Sequence, residues 1–212
     1  MKKIFLLLIL LVPLTTMFGQ RNSAAIKLGY FNPESTEGGF IIGYEGGKMI
    51  DRNFELGWSI DWFNKNYVDK QLVHELNTYY GTNFYINEIR AKTDIHSIPM
   101  MVTMTAFLQM NKRSGFYITG GIGGELLLIN YRDFENPNKD NLETAFDFTW
   151  RAGAGMNFRL GKRSEIFTEV AYHHSEPTWE YEVDDSRGHT RIFEREYDMS
   201  GILVRGGVRF YF

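Results

Sequence analysis

Phe146-Asp147-Phe148-Thr149-Trp150-Arg151-Ala152-Gly153-Ala154-Gly155-Met156-Asn157-Phe158-Arg159-Leu160 reads as one long strand. Every even position is apolar, and every odd position is polar or glycine. Strand side chains point alternately to opposite faces, so each face here is chemically uniform. The length suits a bilayer crossing tilted at about 45°. The last segment repeats the pattern. Ile202, Val204, Val208, Phe210 and Phe212 share one face, while Arg205, Gly207 and Arg209 share the other.

Working outward, six more segments fit the same template. Ile26, Leu28 and Tyr30 oppose Lys27 and Gly29. Phe40, Ile42 and Tyr44 oppose Gly43 and Glu45, and Phe54 to Trp62 alternates with Glu55, Gly57, Ser59 and Asp61. Ile98 to Leu108 alternates with Thr103 and Thr105, and Phe116 to Leu128 with Thr119, Gly121, Gly123 and Glu125. Ile166, Val170 and Tyr172 oppose Glu165 and Glu169. The total is about eight strands. The tight connections, Gly47 to Asn53, Met110 to Ser114 and Gly161 to Ser164, alternate with long polar ones at 64–93, 133–144 and 175–196. Short turns on one side and long loops on the other are the asymmetry of an outer-membrane barrel. Only Asn32 to Glu37 is short on the loop side.

A soluble ligand-binding barrel also alternates, with its apolar face inward. The minority face separates the two cases. It carries Lys27, Glu45, Glu55, Asp61, Glu125, Asp147, Arg151, Arg159, Glu165, Glu169, Arg205 and Arg209, among many glycines. Charges of both signs interspersed with glycine suit a narrow lumen in which they pair, not a wet exterior. The apolar face ends in aromatic residues at both rims: Phe54, Phe116, Phe158 and Phe210 at one, and Tyr30, Phe40, Trp62, Phe146 and Tyr172 at the other. Two such girdles are expected at the membrane interfaces. Eight strands leave a lumen just wide enough for side chains, so the charges should plug it.

The 212 residues suffice for one such domain. Aromatic residues make up 16 %, and glycine is frequent at 21 against 5 prolines. The net charge is −3, or −5 once Lys2 and Lys3 are removed, with no basic face for nucleic acid. With no cysteine, disulfides and thiolate chemistry are excluded. Lys2-Lys3, the apolar run Ile4 to Leu14 and the small Gly19 have the layout of a signal peptide over 1–19. The run is too short for a bilayer-spanning helix of about 20 residues. Residues 20–212 are then the barrel.

Little chemistry stands out. Gly43 to Lys48 lacks phosphate-loop spacing, with Met49 where Ser or Thr should follow the lysine. The Gly120 to Gly124 cluster lies within a strand, where close packing explains it. Adjacent His173 and His174 point to opposite faces, which opposes a metal site between them. The Tyr-rich loop 64–93 suits either recognition or packing over the mouth.

The signal peptide, Ser97-Ile98-Pro99-Met100, Gly120-Gly121-Ile122-Gly123-Gly124 and the final Arg209-Phe210-Tyr211-Phe212 resemble the small OmpA/OmpX-type barrels. They resemble most the PorT-like outer-membrane barrel family of Bacteroidota. That resemblance implies an outer-membrane location, contact with membrane lipid, and Phe212 as a sorting signal read by the barrel-assembly machinery. His173-His174-Ser175 resembles the arrangement of eight-stranded lipid A deacylases, in which a His stands two residues before a Ser; Glu180 or Glu182 would orient the imidazole. Against it, His173 and Ser175 share the lumen face, whereas a lipid substrate lies outside. The reading is therefore an all-β, eight-stranded antiparallel up-and-down transmembrane β-barrel, non-enzymatic and without a cofactor or metal. It meets a ligand or partner protein through loops 64–93, 133–144 and 175–196. The alternatives are an acyl hydrolase using His173 and Ser175, and a narrow pore.

Overall fold

The computed structural model describes residues 21–68, 92–132, 140–184 and 190–212. The expected signal peptide, most of the loop 64–93 and the tips at 133–139 and 185–189 lie outside the described residues. The strands are β1 (Asn22–Pro33), β2 (Gly39–Met49), β3 (Phe54–Val68), β4 (Lys92–Gln109), β5 (Ser114–Arg132), β6 (Asp140–Arg159), β7 (Ser164–His174), β8 (Thr178–Asp184), β9 (Thr190–Glu196) and β10 (Gly201–Tyr211).

Each of β1 to β7 pairs antiparallel with its neighbour in sequence, and β10 pairs with both β7 and β1, closing an eight-stranded barrel. Closure leaves no unpaired edge, which a wall immersed in lipid requires. The remaining two strands form a separate hairpin, pairing Thr178 with Glu196 and Asp184 with Thr190. The expected polar loop 175–196 thus carries regular structure of its own. Two turns are set by side chains. Asp51 Oδ1 accepts from the amides of Asn53 and Phe54 at 2.7 and 2.8 Å. Asn111 Oδ1 accepts from those of Arg113 and Ser114 at 2.9 and 2.8 Å. These short polar residues mimic a backbone turn and fix the register of the strands they join.

The wall loosens at one place. The β3–β4 ladder pairs Ile60 with Met100 and Phe63 with Ser97 but skips the two steps between. Pro99 stands there without an N–H to give, and it is paired with Glu125 of β5 instead. Inside, glycines make room for larger groups. A Cβ on Gly43 would run into the Asp61 carboxylate, and one on Gly155 into the Tyr117 ring.

The outward face is the apolar one. Ile26, Val102, Ile122, Phe146, Val170, Ile202 and their neighbours are exposed all round the barrel. Water would not tolerate such a surface, but a bilayer does. The lumen is layered. Ala25, Phe107, Tyr117 and Phe167 cluster near the turn end. A charged belt begins at the same level, where Arg209 lies over the Phe107, Tyr117 and Phe167 rings, and an apolar layer of Phe31, Ile41, Phe63, Ile95, Leu127, Ile129 and Leu203 closes the loop end. That last layer departs from the sequence expectation of a uniformly polar lumen. Its residues occur where alternation lapses into consecutive apolar residues, as in Tyr30-Phe31, Trp62-Phe63 and Leu126 to Ile129.

Candidate functional site at the loop end

The charged belt organises everything above it. Asp61 accepts from Arg151 Nη1 at 2.5 Å and from Arg205 Nη1 at 3.1 Å. Arg205 also bonds Glu169, with Nε at 2.8 Å and Nη2 at 2.6 Å. Lys27 pairs with Glu45, which also accepts from Arg209 Nη2 at 3.1 Å, while Arg209 Nη1 reaches Glu165 at 2.9 Å. The Arg209 guanidinium lies 4.8 Å from the Phe167 ring centroid and 5.3 Å from that of Phe107. Of the twelve charged residues expected in the lumen, ten are buried there: Lys27, Glu45, Glu55, Asp61, Glu125, Arg151, Glu165, Glu169, Arg205 and Arg209. Asp147 is only half-buried and accepts from the Glu176 amide at 2.8 Å. Arg159 departs from the expectation and is exposed at the turn-end mouth, because β6 ends on it. The girdle residues Tyr30, Phe40, Phe54, Trp62, Phe116, Phe146, Phe158, Tyr172 and Phe210 are exposed on the outward face, as is Phe212 just beyond β10.

Above the belt, β7 carries its alternation into His173, which points inward, and His174, which points outward. Ser175 follows at the strand end and is fully buried. His173 Nε2 stands 2.7 Å from Glu125 Oε2, and Glu125 Oε1 accepts from Ser97 Oγ at 2.7 Å. The imidazole is packed edge-on by Phe31 at 5.5 Å, with Thr149 Oγ1 3.3 Å from its Nε2. Arg151 Nη2 approaches Nδ1 at 3.4 Å. With an arginine beside Nδ1, the ring proton belongs on Nε2, donated to Glu125.

Ser175 Oγ is buried and has no hydrogen-bond partner. The segment 197–200 straps it down: the Met199 amide donates to Ser175 O at 2.9 Å, and the Ser175 amide donates to Ser200 Oγ at 3.3 Å. Ser200 Oγ lies 2.8 Å from His174 Nδ1, and the His174 ring packs against Trp150 at 5.5 Å. A histidine held by a carboxylate, with a serine two residues on along the same face, supplies the parts of a nucleophile, a base and its orienting acid, although His173 and Ser175 are not hydrogen-bonded to each other here. The carboxylate was not legible in sequence. Glu180 and Glu182 fall on β8, and their side chains lie outside those described, whereas Glu125 reaches His173 from β5, 48 residues away. Among the described residues no cluster of three His, Asp or Glu is arranged to hold a metal ion.

Residues 52–175, more than half of the chain, match the model of the family described as lipid A 3-O-deacylase (PagL). The chain belongs to the lipid A 3-O-deacylase family. Membership in this deacylase family corrects the expectation of a non-enzymatic barrel. The matched segment ends on Ser175, so the deacylase match takes in the whole of His173-His174-Ser175.

Solved structures agree on the fold that the deacylase family uses here. The outer membrane protein OprG of Pseudomonas aeruginosa is similar with a TM-score of 0.60 at 10 % identity, over 92 % of this chain and 96 % of that one. A major outer membrane protein of Thermus thermophilus is similar with a TM-score of 0.60 at 9 % identity, over 92 % and 100 %. Neisserial surface protein A gives 0.53 at 9 % identity, over 91 % and 97 %. These likenesses support the eight-stranded barrel fold. No curated protein sequence matches the chain.

Proposed function

We propose that this barrel is an outer-membrane ester hydrolase that releases an acyl chain from lipid A. Membership in a family described as lipid A 3-O-deacylase supports the substrate and the bond cleaved. The observation that carries the reading is the position of His173-His174-Ser175. The motif closes the matched segment and stands at the loop end, with Glu125 on the imidazole. In this reaction Ser175 Oγ attacks the ester carbonyl while His173 takes its proton. The sugar hydroxyl then leaves with that proton, and the acyl group stays on the serine until water releases it as a fatty acid.

The packed arrangement is a resting one. His173 needs a free nitrogen to act as base, and Arg151 stands beside Nδ1 while Glu125 holds Nε2. Ser175 is fully buried under the strap. Turnover therefore requires the 197–200 segment to lift and the imidazole to turn from Arg151. The test is the mass of lipid A from cells producing the protein. Wild type should remove the mass of one acyl chain, while His173→Ala and Ser175→Ala leave lipid A intact and keep the folded-barrel shift on gels. Intact lipid A with wild type sinks the proposal.

One observation favours a second assignment of the residues within the same reaction. His174 and Ser200 form their own pair, with His174 on the outward side that meets lipid. If they carry the chemistry, His174→Ala and Ser200→Ala abolish the mass change and Ser175→Ala does not.

A further inference from the structure

Between the short turns, the mouth of the barrel opens on a cavity of about 1150 Å³. Arg21, Arg52, Lys112, Arg113, Arg159 and Lys162 line it, and Arg163 adjoins them on the β6–β7 turn. All seven are exposed, and none forms a salt bridge with a described residue. Asp51, the acid at this rim, is engaged by the Asn53 and Phe54 amides. Deeper in, Glu165 is already held by Arg209 and Asn157. So many unpaired cations around one opening make a field that is complementary to an anion.

Two further features say which anion. Directly above the cations, the outward face carries Phe54, Phe116, Phe158, Phe210, Leu108 and Leu160, all exposed. A belt of this kind marks the acyl–headgroup boundary, so the cations stand at headgroup depth. On the cavity wall, Asn157 is 8 % exposed and its Oδ1 has no partner. That oxygen accepts a hydrogen bond, so it calls for a donor on the ligand, such as a hydroxyl.

We infer that the turn-end cavity binds the headgroup of an anionic glycerophospholipid from the adjoining leaflet. The phosphodiester sits among the cations, and a headgroup hydroxyl bonds Asn157 Oδ1. Short turns lie at the periplasmic face in this architecture, so the leaflet is the periplasmic one. The site is at the opposite end from the His–Ser cluster and does not depend on the hydrolase reading.

Phosphatidylglycerol, which has both the phosphodiester and free hydroxyls, is the probe. The full barrel is reconstituted in an equimolar mixture of phosphatidylcholine and phosphatidylglycerol, extracted gently, and examined by native mass spectrometry for retained lipid. Wild type should keep phosphatidylglycerol over phosphatidylcholine. The variant R52Q/R113Q/K162Q/R163Q, none of whose changed residues lies in a strand, should reduce that preference by roughly tenfold or more, since each cation near an anionic surface contributes about fivefold. The gel shift on heating verifies that the variant is folded. Equal retention of both lipids by wild type, or an unchanged preference in the variant, would overturn the inference. Displacement of the lipid by soluble glycerol phosphate at matched concentration would overturn the lipid assignment and leave a site for free anions.

Discussion

At the loop end, Phe31, Phe63, Ile95, Leu127 and Leu203 fill the lumen alongside a buried His173–Glu125 pair, and a strap covers Ser175. At the turn end, cations surround an open cavity and pair with nothing described. One end invests its polar groups in each other, while the other leaves them available to whatever approaches. The difference follows from burial. A charge or imidazole taken out of water must be matched within the protein, so it is locked in place. A cation left in water carries no such cost and stays free to meet a mobile anion.

This contrast is sharpest under substitution at the sealed end. Ser175→Ala should lower acyl release by roughly a millionfold, the usual scale for loss of a nucleophile. Barrel stability should stay nearly unchanged, because the Ser175 Oγ has no partner to lose. Activity that survives, with Ser200→Ala inactive, would move the site outward.

Asp61→Ala comes next. It removes the carboxylate shared by Arg151 and Arg205 and leaves two buried guanidinium groups short of an acceptor. A loss of about 3–5 kcal/mol is expected in urea unfolding from phosphatidylcholine vesicles. A change under about 1 kcal/mol would mean that water enters the belt and screens it.

Phe63→Ala tests the apolar layer. The side chain is fully buried and meets Phe31 edge-on at 5.2 Å, so about 3 kcal/mol should be lost in the same assay. At the open end, R52Q/K162Q should shift stability in phosphatidylcholine by less than about 0.5 kcal/mol. A large loss there would show the turn-end cations to be structural, and the contrast between the ends would fail. The layered lumen also predicts no discrete conductance steps in planar bilayers, and regular steps from wild type would break the idea of a sealed loop end.

Much of the wall was readable from residues alone. Strict alternation through Phe146 to Leu160 and Ile202 to Phe212 placed those side chains in or out, and β6 and β10 follow that parity. The alternation failed to explain Phe31, Ile41 and Leu127, since a period of two assigns a face but cannot say that the face changes character along the axis. The site was half legible. The spacing of His173 and Ser175 was visible, and so was their shared inward face. Glu125 appeared only as one charge among twelve, and the hairpin β8–β9 was hidden within a polar loop.

By itself the sequence determined the eight strands of the barrel wall, its apolar exterior and the charged part of its interior, because these depend on local parity and on the cost of exposing apolar groups to water or charges to lipid. Only the tertiary structure decided which charges meet. Arg205 and Asp61 are 144 residues apart, and Arg209 and Glu45 are 164 apart. Such pairs depend on barrel closure and on the stagger of the strands, which no local pattern encodes. The same closure brings Glu125 to His173 and strips the loop-end serine of water, and it gathers cations from separate turns around one mouth.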